Sequence, residues 1–104
     1  MIKHIVMWKI KDSEDGKSKL ENAEMIKRAI EGLKKDIKEI VKIEVGINIV
    51  EGDQAYDIVL DSQFISLEDL KTYQKHPIHI ETVRSLANLL GSRVVIDYEM
   101  DSII

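Results

Sequence analysis

At 104 residues with a net charge of −4, the chain has room for one core, and residues 1–104 are read as a single domain. The 15 basic residues are outnumbered by 19 acidic ones, which leaves no general attraction for phosphates, so no nucleic-acid partner is expected. Cysteine is absent, which rules out disulfides and thiolate metal sites and suits a reducing cytoplasm, the expected location.

Residues 2–11 alternate as a strand, with Ile2, His4, Val6, Trp8 and Ile10 on one face and Lys3, Ile5, Met7, Lys9 and Lys11 on the other. Its centre is apolar on both faces, so it needs helices on one side and other cover, such as a second subunit, on the other. The apolar run Ile5-Val6-Met7-Trp8 is too short for a signal-peptide core or a membrane span, and no membrane partner is expected.

Asp12 to Gly16 reads as a turn. Leu20, Ala23, Ile26, Ala29, Ile30, Leu33 and Ile37 then recur at spacings of three and four, predicting one long amphipathic helix interrupted only by Gly32. Its lysines are interleaved with acids and describe a solvated mixed face. A second strand alternates from Val41 to Ile49, Glu51-Gly52-Asp53-Gln54 carries hairpin chemistry, and a third strand runs from Tyr56 to Asp61, antiparallel to the second.

Ser66 caps the next helix, with Glu68 and Asp69 at its positive end and Leu67, Leu70 and Tyr73 on its apolar face. Pro77, the only proline, disfavours helical geometry at His76 and suits the first position of a new helix. That helix runs through Val83, Leu86, Leu89 and Leu90 to a stop at Gly91, and Val94 to Glu99 close the chain as a fourth strand. The order βαββαβ, with the second helix broken at Pro77, predicts an α+β ferredoxin-like sandwich with an antiparallel sheet and the helices on one face. Ile5, Met7 and Val95, along with one side of the second strand, are then candidates for a bare sheet face that a homodimer would cover.

Two of the three histidines and one of the three tyrosines fall in Tyr73-Gln74-Lys75-His76-Pro77-Ile78-His79. In the first turn after Pro77, His79 feels the positive helix end, which keeps its ring neutral and suited to a general base. His76 is the capping residue between the helices. Tyr73 should have a buried ring, and its hydroxyl either donates to a developing oxyanion or bonds a backbone carbonyl.

His4 shares a strand face with Trp8, roughly 13 Å away along the strand. It either lines a pocket with Trp8, roofed by the Tyr73–His79 segment, or is a core histidine bonded to a neighbouring element. The break at Pro77 keeps His76 and His79 from being placed by one helix, so no metal site is expected, and with no Gly-rich phosphate loop no cofactor is expected. Asp57, Asp61, Asp97 and Asp101 read as solvated strand positions.

The opening Ile2-Lys3-His4-Ile5-Val6-Met7-Trp8-Lys9-Ile10-Lys11, with Tyr73-x-x-His76-Pro77-x-His79 and the βαββαβ order, resembles the stress-responsive dimeric A/B barrel (Dabb) family over essentially the whole chain. The resemblance implies a ferredoxin-like subunit paired through its sheet into a dimeric α/β barrel. Some plant members are cofactor-free cyclases acting on linear polyketides, and their positions map onto His4, Tyr73 and His79. By that resemblance His79 transfers the proton and Tyr73 holds the substrate oxygen. A further histidine of the cyclase pattern aligns near Ile58, so that polar contact is missing.

Three functions follow. The first is a stress-associated protein that binds a small apolar or carbonyl-bearing metabolite between sheet and helices, with Trp8, Ile58, Leu60 and His76 lining the site. The second is a cofactor-free lyase or cyclase of aldol type, with His79 as base, Tyr73 as oxyanion donor and His4 orienting the group. The third is a cofactor-independent oxygenase.

Overall fold

The computed structural model describes residues 1–101. Its elements are β1 (Ile2–Ile10), α1 (Lys19–Glu31), a 3₁₀ turn (Gly32–Lys35), β2 (Ile40–Ile47), β3 (Ile58–Phe64), α2 (Leu67–Lys75), α3 (Pro77–Ser85) and β4 (Leu90–Glu99). The strands form one sheet in the order β2-β3-β1-β4, and every neighbouring pair is antiparallel. This is the expected ferredoxin-like arrangement, with β1 in the interior of the sheet. No helix among the described residues is long and apolar enough to cross a membrane.

Strand alternation gives the sheet two different faces. His4, Val6 and Trp8 of β1 lie opposite Ser62, Leu60 and Ile58 of β3, and all six are buried. With Ala23, Ile26 and Ile30 from α1 and Val45 from β2, these apolar residues form one core cluster. A second cluster gathers Ile2, Leu33, Ile37, Ile40, Phe64, Leu70 and Tyr73, and so anchors α2 at one end of the sheet.

Four sequence expectations need correction. The first helix is α-helical only to Glu31; from Gly32 to Lys35 it tightens to 3₁₀, although Leu33 and Ile37 stay buried as their spacing predicts. Glycine weakly supports the α-helical ladder, and the shorter i→i+3 bonds take over there. An unanticipated capping box starts α1: Ser18 Oγ accepts from the Glu21 amide, and the Glu21 side chain accepts from the Ser18 amide.

The second and third strands do not meet in a tight hairpin. Residues 48–57 form a loop in which the Val50 amide donates to Asn48 Oδ1 at 2.8 Å and Asn48 Nδ2 donates to the Tyr56 carbonyl at 2.6 Å. These bonds take backbone groups a ladder would need, so the alternation through Ile49 does not become strand. The residues given hairpin chemistry turn at the tip, where the Ala55 amide donates to the Gly52 carbonyl.

The third helix ends at Ser85, and Leu90 is already in β4. Gly91 is therefore a strand residue. A Cβ there would lie 2.9 Å from the Lys9 carbonyl oxygen, beside the β1–β4 register irregularity between Trp8 and Ile10.

Val95, assigned above to the bare face, pairs with Val6 and so lies on the helix side. The outer face instead carries Ile5, Met7, Val59, Val94, Ile96 and Tyr98, the partners of one another across β3, β1 and β4 apart from Tyr98, which faces Lys3. Three successive apolar residues, Val94-Val95-Ile96, gave alternation nothing to distinguish.

Gly91→Ala should lower unfolding free energy in a denaturant titration by about 1–3 kcal/mol, because the neighbour is backbone and cannot swing away. Gly52→Ala meets open space and should stay within about 0.5 kcal/mol of wild type.

Candidate functional site

The break at Pro77 arranges the histidines. His76 is extended (φ −63°, ψ 131°), closes α2 and caps α3 by accepting the Ile78 amide on Nδ1 at 3.1 Å. Pro77 opens α3, which brings His79 into its first turn and back against α2. The Tyr73 and His79 rings lie 4.4 Å apart between centroids, tilted by 49°.

His4 reaches the same cluster from the sheet. Its ring meets Tyr73 edge-on at 6.3 Å and Phe64 at 6.5 Å, while Phe64 and Tyr73 lie 4.9 Å apart. His4 is 3% exposed. It donates from Nδ1 to the carboxylate of Asp97, its register partner on β4, and its backbone carbonyl accepts from Ser62 Oγ at 2.8 Å. Asp97 is thus a partner for a buried ring and not the merely solvated position expected. Asp61 pairs with Lys3 at 3.0 Å, and Asp57 accepts the Ile10 amide at 2.7 Å.

His4, Tyr73 and His79 together line a cavity of about 410 Å³ between sheet and helices. Val6, Trp8 and Leu60 form its floor, Ile30 and Leu33 cover it from the first helical segment, and Val83 and Ala87 border it on the α3 side. Leu90, Gly91 and Arg93 of β4 complete the lining. Of the expected lining residues, Trp8 and Leu60 are in place, but Ile58 and His76 are not. Ile58 faces inward yet is packed within the core cluster, and the His76 ring is occupied with capping.

Protonation follows from burial and hydrogen bonding. His79 Nδ1 lies 3.3 Å from the Gln74 carbonyl, which can only accept, so Nδ1 carries the proton and Nε2 is left with a lone pair. Burial holds the His79 imidazolium below its usual range; the Gln74 hydrogen bond opposes this, while His4, Arg93 and His76 add to the depression. Burial also pushes the Tyr73 phenol up to about 12, with the Arg93 charge acting the other way. Tyr73 is therefore a neutral donor across the physiological range.

A larger groove, about 550 Å³, runs beneath the 48–57 loop past Lys9, Lys19, Tyr56 and Asp57. Its two lysines already have partners: Lys19 lies 3.7 Å from Asp57, and Lys9 sits 5.3 Å over the Tyr56 ring. It contains no histidine and no buried polar cluster, so the smaller cavity is the better chemical candidate. No group of three or more metal-ligating side chains occurs among the described residues.

Sequence reasoning missed Arg93 and Asp97. Their signal was positional: once β4 is paired with β1, residues 93, 95 and 97 fall opposite Trp8, Val6 and His4.

No curated protein sequence matches the chain. Among solved structures, the chain is similar to a dimeric protein of unknown function with a ferredoxin-like fold from Bacteroides fragilis, at 39% identity, 95% coverage of both chains and a TM-score of 0.81. It is also similar to an Arabidopsis thaliana protein at 26% identity, covering 100% of this chain and 99% of that one, with a TM-score of 0.83. Hydroxynitrile lyase from Passiflora edulis shares the fold, with a TM-score of 0.80 at 17% identity and coverage of 99% and 95%. The stress responsive A/B barrel domain matches residues 2–100, and the chain belongs to that family.

Proposed function

We propose that this protein binds a small apolar, carbonyl-bearing metabolite in the cavity between sheet and helices. The observation that carries this reading is the convergence of two histidines and a tyrosine on a largely apolar cavity, with Trp8, Val6 and Leu60 beneath them. A cavity of about 410 Å³ falls within the range of roughly 300–1,000 Å³ common for small-molecule sites. Its apolar walls favour hydrocarbon, and the Tyr73 hydroxyl supplies a donor for a carbonyl oxygen.

The His79 tautomer favours proton transfer as a second reading. With the proton on Nδ1 and the lone pair on Nε2, the ring can remove an acidic C–H proton next to a bound carbonyl. Tyr73 then donates to the enolate oxygen, and His4, held by Asp97, orients the carbonyl group. This is the step a cofactor-free lyase or cyclase needs. The oxygenase alternative has no comparable observation in its favour.

The reading includes a homodimer formed through the outer sheet face and a cytoplasmic location. Met7, Val94, Ile96 and Tyr98 are exposed there, with Ile96 58% accessible. The Lys3–Asp61 pair, with Lys42 3.9 Å from Asp61, adds a charged end to the same face. Related proteins from Bacteroides fragilis and Thermobifida fusca are described as dimeric.

Ligand-shift melting and native mass spectrometry against a metabolite library should yield a binder that raises the melting temperature by several degrees at a hundredfold excess over Kd. Ala87→Trp, which fills the cavity, should abolish the shift. His79→Phe should slow solvent deuterium exchange at the binder's acidic C–H by about 10²–10⁴-fold. The absence of any binder sensitive to Ala87→Trp would defeat the binding reading, and unchanged exchange in His79→Phe would defeat the proton-transfer reading.

Analytical ultracentrifugation should find a dimer for wild type and a folded monomer for Ile96→Asp, since two buried carboxylates would face each other's apolar surface. A wild-type monomer at tens of micromolar would contradict the proposed assembly.

A further inference from the structure

The lining of the cavity is unusual for this chain in one respect. It contains an arginine and two histidines but no aspartate or glutamate, although acids outnumber bases 19 to 15 in the sequence. Arg93 lies opposite Trp8 on β4 and is exposed at the cavity's sheet edge. It forms no ion pair with a described residue. The acid nearest along the same strand face, Asp97, is engaged by His4 and does not line the cavity.

We infer that Arg93 receives the anionic end of the ligand, so that the site selects an apolar carbonyl compound bearing a carboxylate. This rests on the binding reading above and narrows it to a ligand class. A guanidinium offers two parallel N–H donors that match the two oxygens of a carboxylate. With no acidic side chain in the lining, nothing within the cavity competes for that fork.

The strand also sets the spacing. Arg93 and Asp97 are four residues apart, roughly 13 Å along β4, and Asp97 marks the position of His4. A carboxylate at Arg93 and a carbonyl at the Tyr73–His79 end are therefore separated along the cavity. The geometry suits a keto acid whose carbonyl and carboxylate are several bonds apart better than an α-keto acid. The positive charge of Arg93 acts on both Tyr73 and His79, in keeping with one continuous site.

The test uses 4-oxo-4-phenylbutanoate and its methyl ester, with binding followed by nuclear magnetic resonance at the Trp8 indole and the histidine rings of the intact protein. The acid should bind wild type about tenfold more tightly than the ester, and its advantage should shrink as salt is raised. Arg93→Gln should bring the affinity of the acid down to that of the ester, and Arg93→Lys should restore part of the difference. Circular dichroism melting of both variants checks that the exposed substitution leaves the fold intact. Equal affinity of acid and ester for wild type, or a preference that survives in Arg93→Gln, would overturn the arginine inference while leaving cavity binding standing. If neither compound moves the Trp8 or histidine resonances, both the inference and the binding reading fail for this ligand class.

Discussion

The whole site depends on the pairing register of β1. Side chains on a strand alternate with a period of two, so a slip of one residue would send His4, Val6 and Trp8 to the outer face and bring Lys3, Ile5 and Met7 inward. Antiparallel pairing with β3 and β4 on both sides fixes the parity. The same register sets Asp97 opposite His4 and Arg93 opposite Trp8. A buried histidine, its carboxylate partner and the cavity's only arginine are thus consequences of one ladder, not three independent placements.

The helical side depends on a different constraint, the rigid backbone at Pro77. A continuous helix would have carried His79 onward along the axis of α2. The extended geometry at His76 starts a new helix instead, and His79 returns to Tyr73 at 4.4 Å. Burial then gives the two rings complementary roles. His79 is disfavoured as a cation and Tyr73 is disfavoured as an anion, so a proton acceptor and a proton donor coexist in neutral form beside an apolar cavity. Water would screen such a pair, whereas an apolar lining lets each act on a bound group.

Much of this was legible in the residues themselves. Ile2, Val6, Trp8 and Ile10 mark the inner face of β1 at a period of two, and the sole proline marks the break between α2 and α3 and so predicts the His76 cap. The fourth strand was harder to read. Val94-Val95-Ile96 is apolar at successive positions, so the inward parity of Arg93, Val95 and Asp97 is decided by pairing with β1 and is invisible to local pattern. The 48–57 loop failed for another reason: Ile47 and Ile49 imitate a strand, but Asn48 ties the local backbone to itself. Ile58 and His76, expected in the lining, are committed elsewhere, one to core packing and the other to a cap.

The central claim is that His79 is held neutral, with its proton on Nδ1, at the edge of a largely apolar cavity. Nitrogen-15 correlation spectra of the histidine rings across pH read both the tautomer and the titration midpoint. The folded-state pKa is lowered, so neutral His79 should persist as pH falls below the usual 6.5, and the stability linked to its burial should be lost only as pH drops from there through the depressed midpoint. The account predicts the Nδ1–H tautomer and a midpoint below 6.5. A proton found on Nε2 at neutral pH, or a midpoint at or above 6.5, would contradict it.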